Sequence, residues 1–202
     1  GLLSLVPFIN VPDSFYISPV LNIDKKTEKA TPGYYSVTLP DEEIHAELTA
    51  ETHVAVHKYS YPARQVARLF IYEGNRPRSR GISFSPKGNQ EIEGIQYCYG
   101  GIYFVMKFSS PIQSTKIWNG TMLTEGATLE KQLSGGLVCE FGDLQGKPLE
   151  IKVGVSLTSM EAARKNLETE CPDRVNFEEV RKNALEEWNK KLRLITVDGE
   201  DE

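Results

Sequence analysis

Cysteine is scarce in this chain: Cys98, Cys139 and Cys171 are the only three in 202 residues. Three cannot all pair within one chain, and none sits in a C-x-x-C spacing, so neither a disulfide framework nor a zinc site of that kind is encoded. No apolar run approaches the ~20 residues that a membrane-spanning helix needs. Positive charge is also short. Lys+Arg number 23 against 28 Asp+Glu, a formal net charge of −5, which argues against the clustered basic surface of a nucleic-acid binder. There is no G-x-S-x-G nucleophile elbow. Gly74, Gly81, Gly88, Gly94, Gly100 and Gly101 fit neither the dinucleotide fingerprint nor the phosphate-binding loop, and read as turn glycines.

Histidine is almost absent as well, with only His45, His53 and His57. The i, i+4 spacing of the last two would suit a metal on a helix. The alternating pattern around them is that of a strand, where two such residues lie ~13 Å apart and cannot share an ion. They are read as solvated strand histidines.

What is present is ordinary globular material: 40% apolar and 25% charged residues, enough to build one large domain or two small ones. The 16 Gly, 11 Pro, 8 Phe, 9 Tyr and 2 Trp are spread over many short segments. The first ~30 residues are punctuated by Pro7, Pro12 and Pro19, and positions 25–33 read as a polar loop closed by a Pro32-Gly33 turn. From Tyr34 onward about ten strands are expected. Alternation marks Ile44, Ala46 and Leu48, then Val54 and Val56. Ile92 to Tyr99 and Ile102 to Phe108 form a pair joined at Gly100-Gly101. Asn119-Gly120 is expected to make a two-residue type I′ hairpin turn. Turn signals at such short intervals describe an antiparallel sandwich or barrel.

The pattern changes near residue 158. Thr158 with Glu161 reads as a capping box opening one helix, and Asn176 with Glu179 as another. Phe177, Val180, Ala184, Leu185, Trp188 and Leu192 recur as one apolar stripe. The expected organisation is a mainly β, antiparallel, supersandwich-like β-sandwich over residues 1–157, then a helical linker over 158–202. The chain opens on Gly1 inside an apolar run and closes on an acidic tail, so both ends read as cut from a longer protein.

No catalytic pair stands out. Glycoside hydrolysis needs two carboxyl groups, and Glu28, Asp41, Glu42, Glu43, Glu47 and Glu51 qualify by type only. Most occupy turns or the polar side of a strand. Tyr34, Tyr35, Tyr97, Tyr99, Tyr103 and Trp118 offer faces on which sugars stack, though such rings more often serve a sandwich core. Arg76, Arg78 and Arg80 alternate in one loop, where solvated charge is the commoner role than an anion or glycan contact.

Several stretches carry a family likeness. Ala30-Thr31-Pro32-Gly33-Tyr34-Tyr35-Ser36-Val37-Thr38-Leu39, Glu47-Leu48-Thr49-Ala50 and His57-Lys58-Tyr59-Ser60-Tyr61-Pro62 come first, with Lys58 where Arg is usual. Tyr103-Phe104-Val105-Met106-Lys107-Phe108-Ser109, Val153-Gly154-Val155-Ser156, Ala162-Ala163-Arg164-Lys165-Asn166-Leu167 and the segment Trp188 to Leu192 follow in order. Together they resemble the N-terminal domain of glycoside hydrolase family 92, a family of α-mannosidases. The resemblance implies an exo-acting, inverting, calcium-dependent enzyme acting on mannose-containing glycans. It also implies a C-terminal (α/α)6 barrel beyond residue 202 that carries most acid, base and calcium-binding residues. No catalytic residue and no metal ligand is therefore assigned in this chain, and this stretch alone is expected to be inactive. Glu28, Tyr34 and Tyr35, around the 25–35 loop, are the candidate sugar-facing residues. Bacterial members are usually exported, which implies a periplasmic or secreted protein. The helical stripe is expected to be partly exposed without the barrel, and to promote self-association. The alternative reading is a stand-alone carbohydrate-binding sandwich that uses exposed rings such as Trp118 or Tyr99.

Overall fold

The computed structural model describes residues 3–11, 21–73, 79–98 and 100–194. Among them are fourteen strands and two helices. In order these are β1 (Ser4–Phe8), β2 (Asp24–Thr31), β3 (Tyr34–Leu39), β4 (Ile44–Ala50), β5 (Val54–Ser60), β6 (Val66–Tyr72) and β7 (Ile82–Pro86). Then come β8 (Glu91–Gln96), β9 (Ile102–Phe108), β10 (Ser114–Trp118), β11 (Leu123–Glu125), β12 (Leu129–Gln132), β13 (Gly136–Asp143) and β14 (Leu149–Ser156). The helices α1 (Met160–Glu170) and α2 (Phe177–Leu192) follow.

The strands form two antiparallel sheets. A five-stranded sheet runs β1-β6-β13-β10-β11, and a nine-stranded sheet runs β12-β7-β8-β9-β14-β5-β4-β3-β2. The period-2 alternation of side chains gives each sheet two distinct faces. Ile44, Ala46, Leu69, Ile71, Phe104, Met106 and Ile151 meet between the sheets. On the outer face of the larger sheet, Val54, Val56 and Val105 pack against Ala163, Leu167, Phe177 and Val180 of the helices. A third cluster, with Phe8, Phe70, Tyr72 and Trp118, lies on the other face of the smaller sheet. The β-sandwich with two C-terminal helices is thus present as expected.

Four strands escape the periodicity argument, β1, β2, β11 and β12, and all four lie at sheet edges. β1 contains Pro7, which an edge strand tolerates because one side of its backbone needs no partner. β2 is the segment expected to be a polar loop. It pairs with β3, with a register shift between Asp24 and Lys29. Its Lys-rich, exposed sequence is the composition that keeps an edge from pairing with other chains, so an apolar-pattern search passes over it. β12 is four residues long.

Two local expectations are corrected. Trp118 pairs with Leu123, so the β10–β11 connection has four residues, not two. Asn119 does not supply a positive φ; its side-chain Oδ1 instead accepts bonds from the Thr121 and Met122 backbone N–H groups. Helix α1 is capped by Ser159, not Thr158: the Ser159 hydroxyl accepts from the Ala162 N–H at 3.1 Å. Thr158 is turned away, with its N–H bonded to Ser156 Oγ. The Asn176–Glu179 capping box forms in full, each side chain accepting from the other's backbone N–H at 3.0 Å.

Candidate functional site

The sugar-facing candidates divide between two faces of one strand. Tyr34 and Tyr35 are neighbours on β3, so their rings point to opposite sides of the sheet. Tyr35 packs against the inter-sheet core, and its hydroxyl donates to Glu28 Oε1 at 2.8 Å. Lys25 holds the other carboxylate oxygen at 2.9 Å. The bonds from Lys25 and then Tyr35 keep the Glu28 carboxyl below its ordinary range. Burial, and then the bond to Glu28, push the Tyr35 hydroxyl up.

Tyr34 lies under α2. Its hydroxyl donates to Glu47 Oε1 at 2.9 Å, and its ring meets Phe177 edge-on at 6.4 Å. The Arg181 guanidinium sits 3.8 Å from the ring centroid, an attraction of cation to π-face. Lys58 completes the group. Its ammonium contacts Glu47 at 2.9 Å and Glu178 at 3.0 Å and lies over the Phe177 ring. Burial opposes ionisation of Glu47, but the bonds from Lys58 and Tyr34 prevail and hold its carboxyl below the ordinary range. The structure therefore does not bring Glu28, Tyr34 and Tyr35 together. Tyr34 belongs to the seat of α2, and Glu28 with Tyr35 to the sheet edge.

The β2–β3 turn has a second task. Thr31 pairs with Tyr34, leaving Pro32-Gly33 as a two-residue turn with Gly33 at φ +77°. Proline fixes a negative φ and glycine supplies the positive one, as a type II turn requires. A Cβ on Gly33 would lie 2.8 Å from Ala184 Cβ. Glycine here lets α2 approach the sheet.

Helix α1 docks by the same device. A Cβ on Gly154 would lie 2.7 Å from both the Ala163 carbonyl oxygen and Leu167 Cβ. Asn166 Nδ2 donates to the Val155 carbonyl at 2.8 Å, and Arg164 grips Glu91 and Glu93. The two stretches around Gly154 and Leu167, separated in sequence, are thus the two sides of one contact. Lys152 ties down the link to α2, donating to the Pro172 and Val175 carbonyls at 2.8 and 2.6 Å.

Other candidates fall elsewhere. Trp118 is 1% exposed and edge-on to Phe70 at 5.5 Å. It cannot stack on a sugar, which corrects the expectation of an exposed ring; Tyr99 lies outside the described residues. So do Arg76 and Arg78, while the Arg80 N–H donates to the Tyr97 carbonyl. His57 is half-buried rather than freely solvated: its Nδ1 lies 2.8 Å from the Tyr59 hydroxyl, and burial pushes its pKa down to about 4. His53 does reach solvent, pairing with Glu170 through Nδ1 at 2.6 Å. The three cysteines are free and buried.

Calcium takes six to eight oxygen ligands. Among the described residues no three His, Cys, Asp or Glu side chains converge to hold a metal. A cleft of about 530 Å³ beside the α1–α2 link holds Glu91, Glu150 and Asp173. Glu91 is held by Arg164, and Asp173 by Lys107 at 3.1 Å.

The feature that remains open is α2. Phe177, Val180 and Ala184 are buried, but Leu185, Trp188 and Leu192 are 46%, 48% and 57% exposed. Sequence periodicity alone assigns all six to one stripe. Only the structure shows that the sandwich covers its first half.

The described residues thus form an antiparallel two-sheet sandwich with two helices on one outer face, the second carrying an exposed apolar stripe. Residues 3–156 match the glycosyl hydrolase family 92 N-terminal domain, and residues 162–202 match the glycosyl hydrolase family 92 catalytic domain. The chain belongs to this family. No curated protein sequence matches it.

Among solved structures, a family GH92 inverting mannosidase from Bacteroides thetaiotaomicron superposes with a TM-score of 0.87 at 23% identity, over 98% of this chain and 27% of that one. A second family GH92 α-mannosidase from that species gives 0.83 at 19%, over 97% and 29%. A bacterial glucoamylase complexed with acarbose gives 0.61 at 14%, over 95% and 31%. At these identities the likeness is one of fold. The chain spans less than a third of the length of each.

Proposed function

We propose that this chain is the N-terminal part of an exo-acting, inverting, calcium-dependent α-mannosidase that hydrolyses α-mannosides of glycans. One observation carries the reading: the match to the N-terminal domain is followed directly by a match to the catalytic domain of the same family. Two solved relatives of the same fold are described as mannosidases, one of them inverting and the other solved also in complex with mannoimidazole. The sandwich and its helices are the platform on which the barrel is built, with the boundary between residues 157 and 158. Inversion places an acid and a base carboxyl ~6.5–9.5 Å apart with a water between them. That pair and the calcium ligands belong to the chain beyond residue 202. Export to the periplasm or the medium goes with the family.

Purified chain 1–202 is expected to release no mannose from α-mannobiose and to give no heat on titration with it. The full-length gene product is expected to release β-mannose, read by NMR of the first-formed anomer. It should lose activity with a calcium chelator and regain it with added calcium. Mannose release by chain 1–202, or a full-length product inert on every α-mannoside, overturns the reading.

A further inference from the structure

Next to the exposed stripe, α2 lifts away from the β4–β5 turn and leaves a groove of about 230 Å³ lined by Glu51, Thr52, Ala184, Glu187, Trp188 and Lys191. Its polar groups are unevenly matched. Glu187 is held by Lys190 at 2.5 Å, and Lys191 also draws its charge. Glu170, nearby, is paired with His53. Glu51 has only the Asn183 side chain as a bonded partner, and no cation among the described residues. Burial pushes its carboxyl up, and the charges of Glu170 and Glu187 add to the push. The groove thus holds a carboxylate short of a counter-ion beside the half-exposed Trp188 ring.

We infer that a cationic side chain from the catalytic domain beyond residue 202 seats in this groove, pairing with Glu51 and stacking on Trp188, while Leu185 and Leu192 pack beneath the same segment. The inference rests on the mannosidase reading, which supplies that domain. Two observations favour this occupant. The match to the catalytic domain already includes α2, and the related chains are more than three times as long as the part covered here. The charge argument adds the chemistry. A guanidinium or ammonium beside an aromatic face gains from the ring as well as from the carboxylate, and a guanidinium is weakly hydrated and easily buried.

Residue-resolved footprinting of the full-length enzyme against chain 1–202 tests this, the latter at a dilution where light scattering reads a monomer. Trp188 oxidation and carbodiimide labelling of Glu51 are expected to fall roughly tenfold in the full-length enzyme, as for groups moved from surface to interior. Glu186, on the opposite side of α2, is expected to label equally in both. In full-length E51K, Trp188 labelling is expected to return towards that of chain 1–202, whereas E186K leaves it low. If E51K does not fold, E51Q reads the same loss of protection. Equal Trp188 labelling in both wild-type proteins overturns the inference. So does protection that survives removal of the Glu51 charge, which would leave apolar packing alone. Protection that vanishes when a full-length dimer is diluted to monomer makes a second copy the occupant and overturns it too. Mannose release is assayed on the same samples: an active enzyme with Trp188 exposed defeats this inference alone, and an inert one with Trp188 protected defeats only the mannosidase reading.

Discussion

Gly154 and His57 show how much rests on single positions. Gly154 has ordinary extended backbone, so its need for glycine is one of space: a Cβ would strike the Ala163 carbonyl oxygen and Leu167 Cβ at 2.7 Å. Gly154→Ala is expected to cost about 1–3 kcal/mol of stability through forced overpacking, measured by urea unfolding. Gly88 has φ +74° and nothing within 4 Å of its Cβ position. Gly88→Ala there meets only backbone strain, expected at about 1 kcal/mol. The sequence shows both as glycines in a β-rich chain; the two reasons separate only when α1 is seen lying on β14.

His57 carries a pH consequence. Its folded-state pKa is about 4, lowered by burial from the ordinary 6.5. The unfolded chain therefore takes up a proton below pH 6.5 that the folded chain refuses until about pH 4. The stabilisation is whole above pH 6.5 and is lost as pH falls through that window, a change of up to about 3 kcal/mol. Urea midpoints measured from pH 7 to pH 4 are expected to fall, and to fall less steeply in His57→Gln. Equal slopes would show that burial of this imidazole does not set the acid sensitivity. The alternation of the sequence places His57 on a strand but does not say which side is inside. Here the side bearing His57 and Tyr59 is inside.

Among the elements, the helices are the most legible and also the most easily misplaced by a residue. Asn176, with its complete capping box, is expected to lose about 1 kcal/mol on change to Ala. Ser159→Ala is expected to cost a similar amount and Thr158→Ala close to nothing, since the Ser159 hydroxyl reaches the Ala162 N–H. The reverse order in thermal unfolding would return the cap to Thr158. Both residues satisfy the rule for a cap, and only the exit direction of β14 decides between them. The edge strands are the opposite case. β2 has the composition of a loop because one side of its backbone has no strand to meet, and polar residues guard that side. Its identity as a strand comes from β3, not from its own residues.

For the whole molecule, the open stripe on α2 has a solution consequence independent of any partner domain. Leu185, Trp188 and Leu192 form a contiguous apolar surface, which favours association. Static light scattering of chain 1–202 is expected to show mass rising with concentration, and the double change Leu185→Ser with Trp188→Ser to flatten that rise. A wild-type chain that stays monodisperse at high concentration counts against the stripe as a sticky face.

Local information in the sequence was enough for the class of fold, the start of α2 and the family pattern, because alternation, turn residues and caps act between neighbours along the chain. It was not enough for the role of the residues that pattern contains. Tyr34 and Tyr35 are adjacent in sequence and share no surroundings, since a strand sends successive side chains to opposite faces. Gly154 and Leu167 are thirteen residues apart and touch. Trp118, an attractive sugar platform by type, is a core residue. Burial, contact and exposure depend on which faces the packed sheets and helices leave covered, and that is settled only when the whole chain has folded.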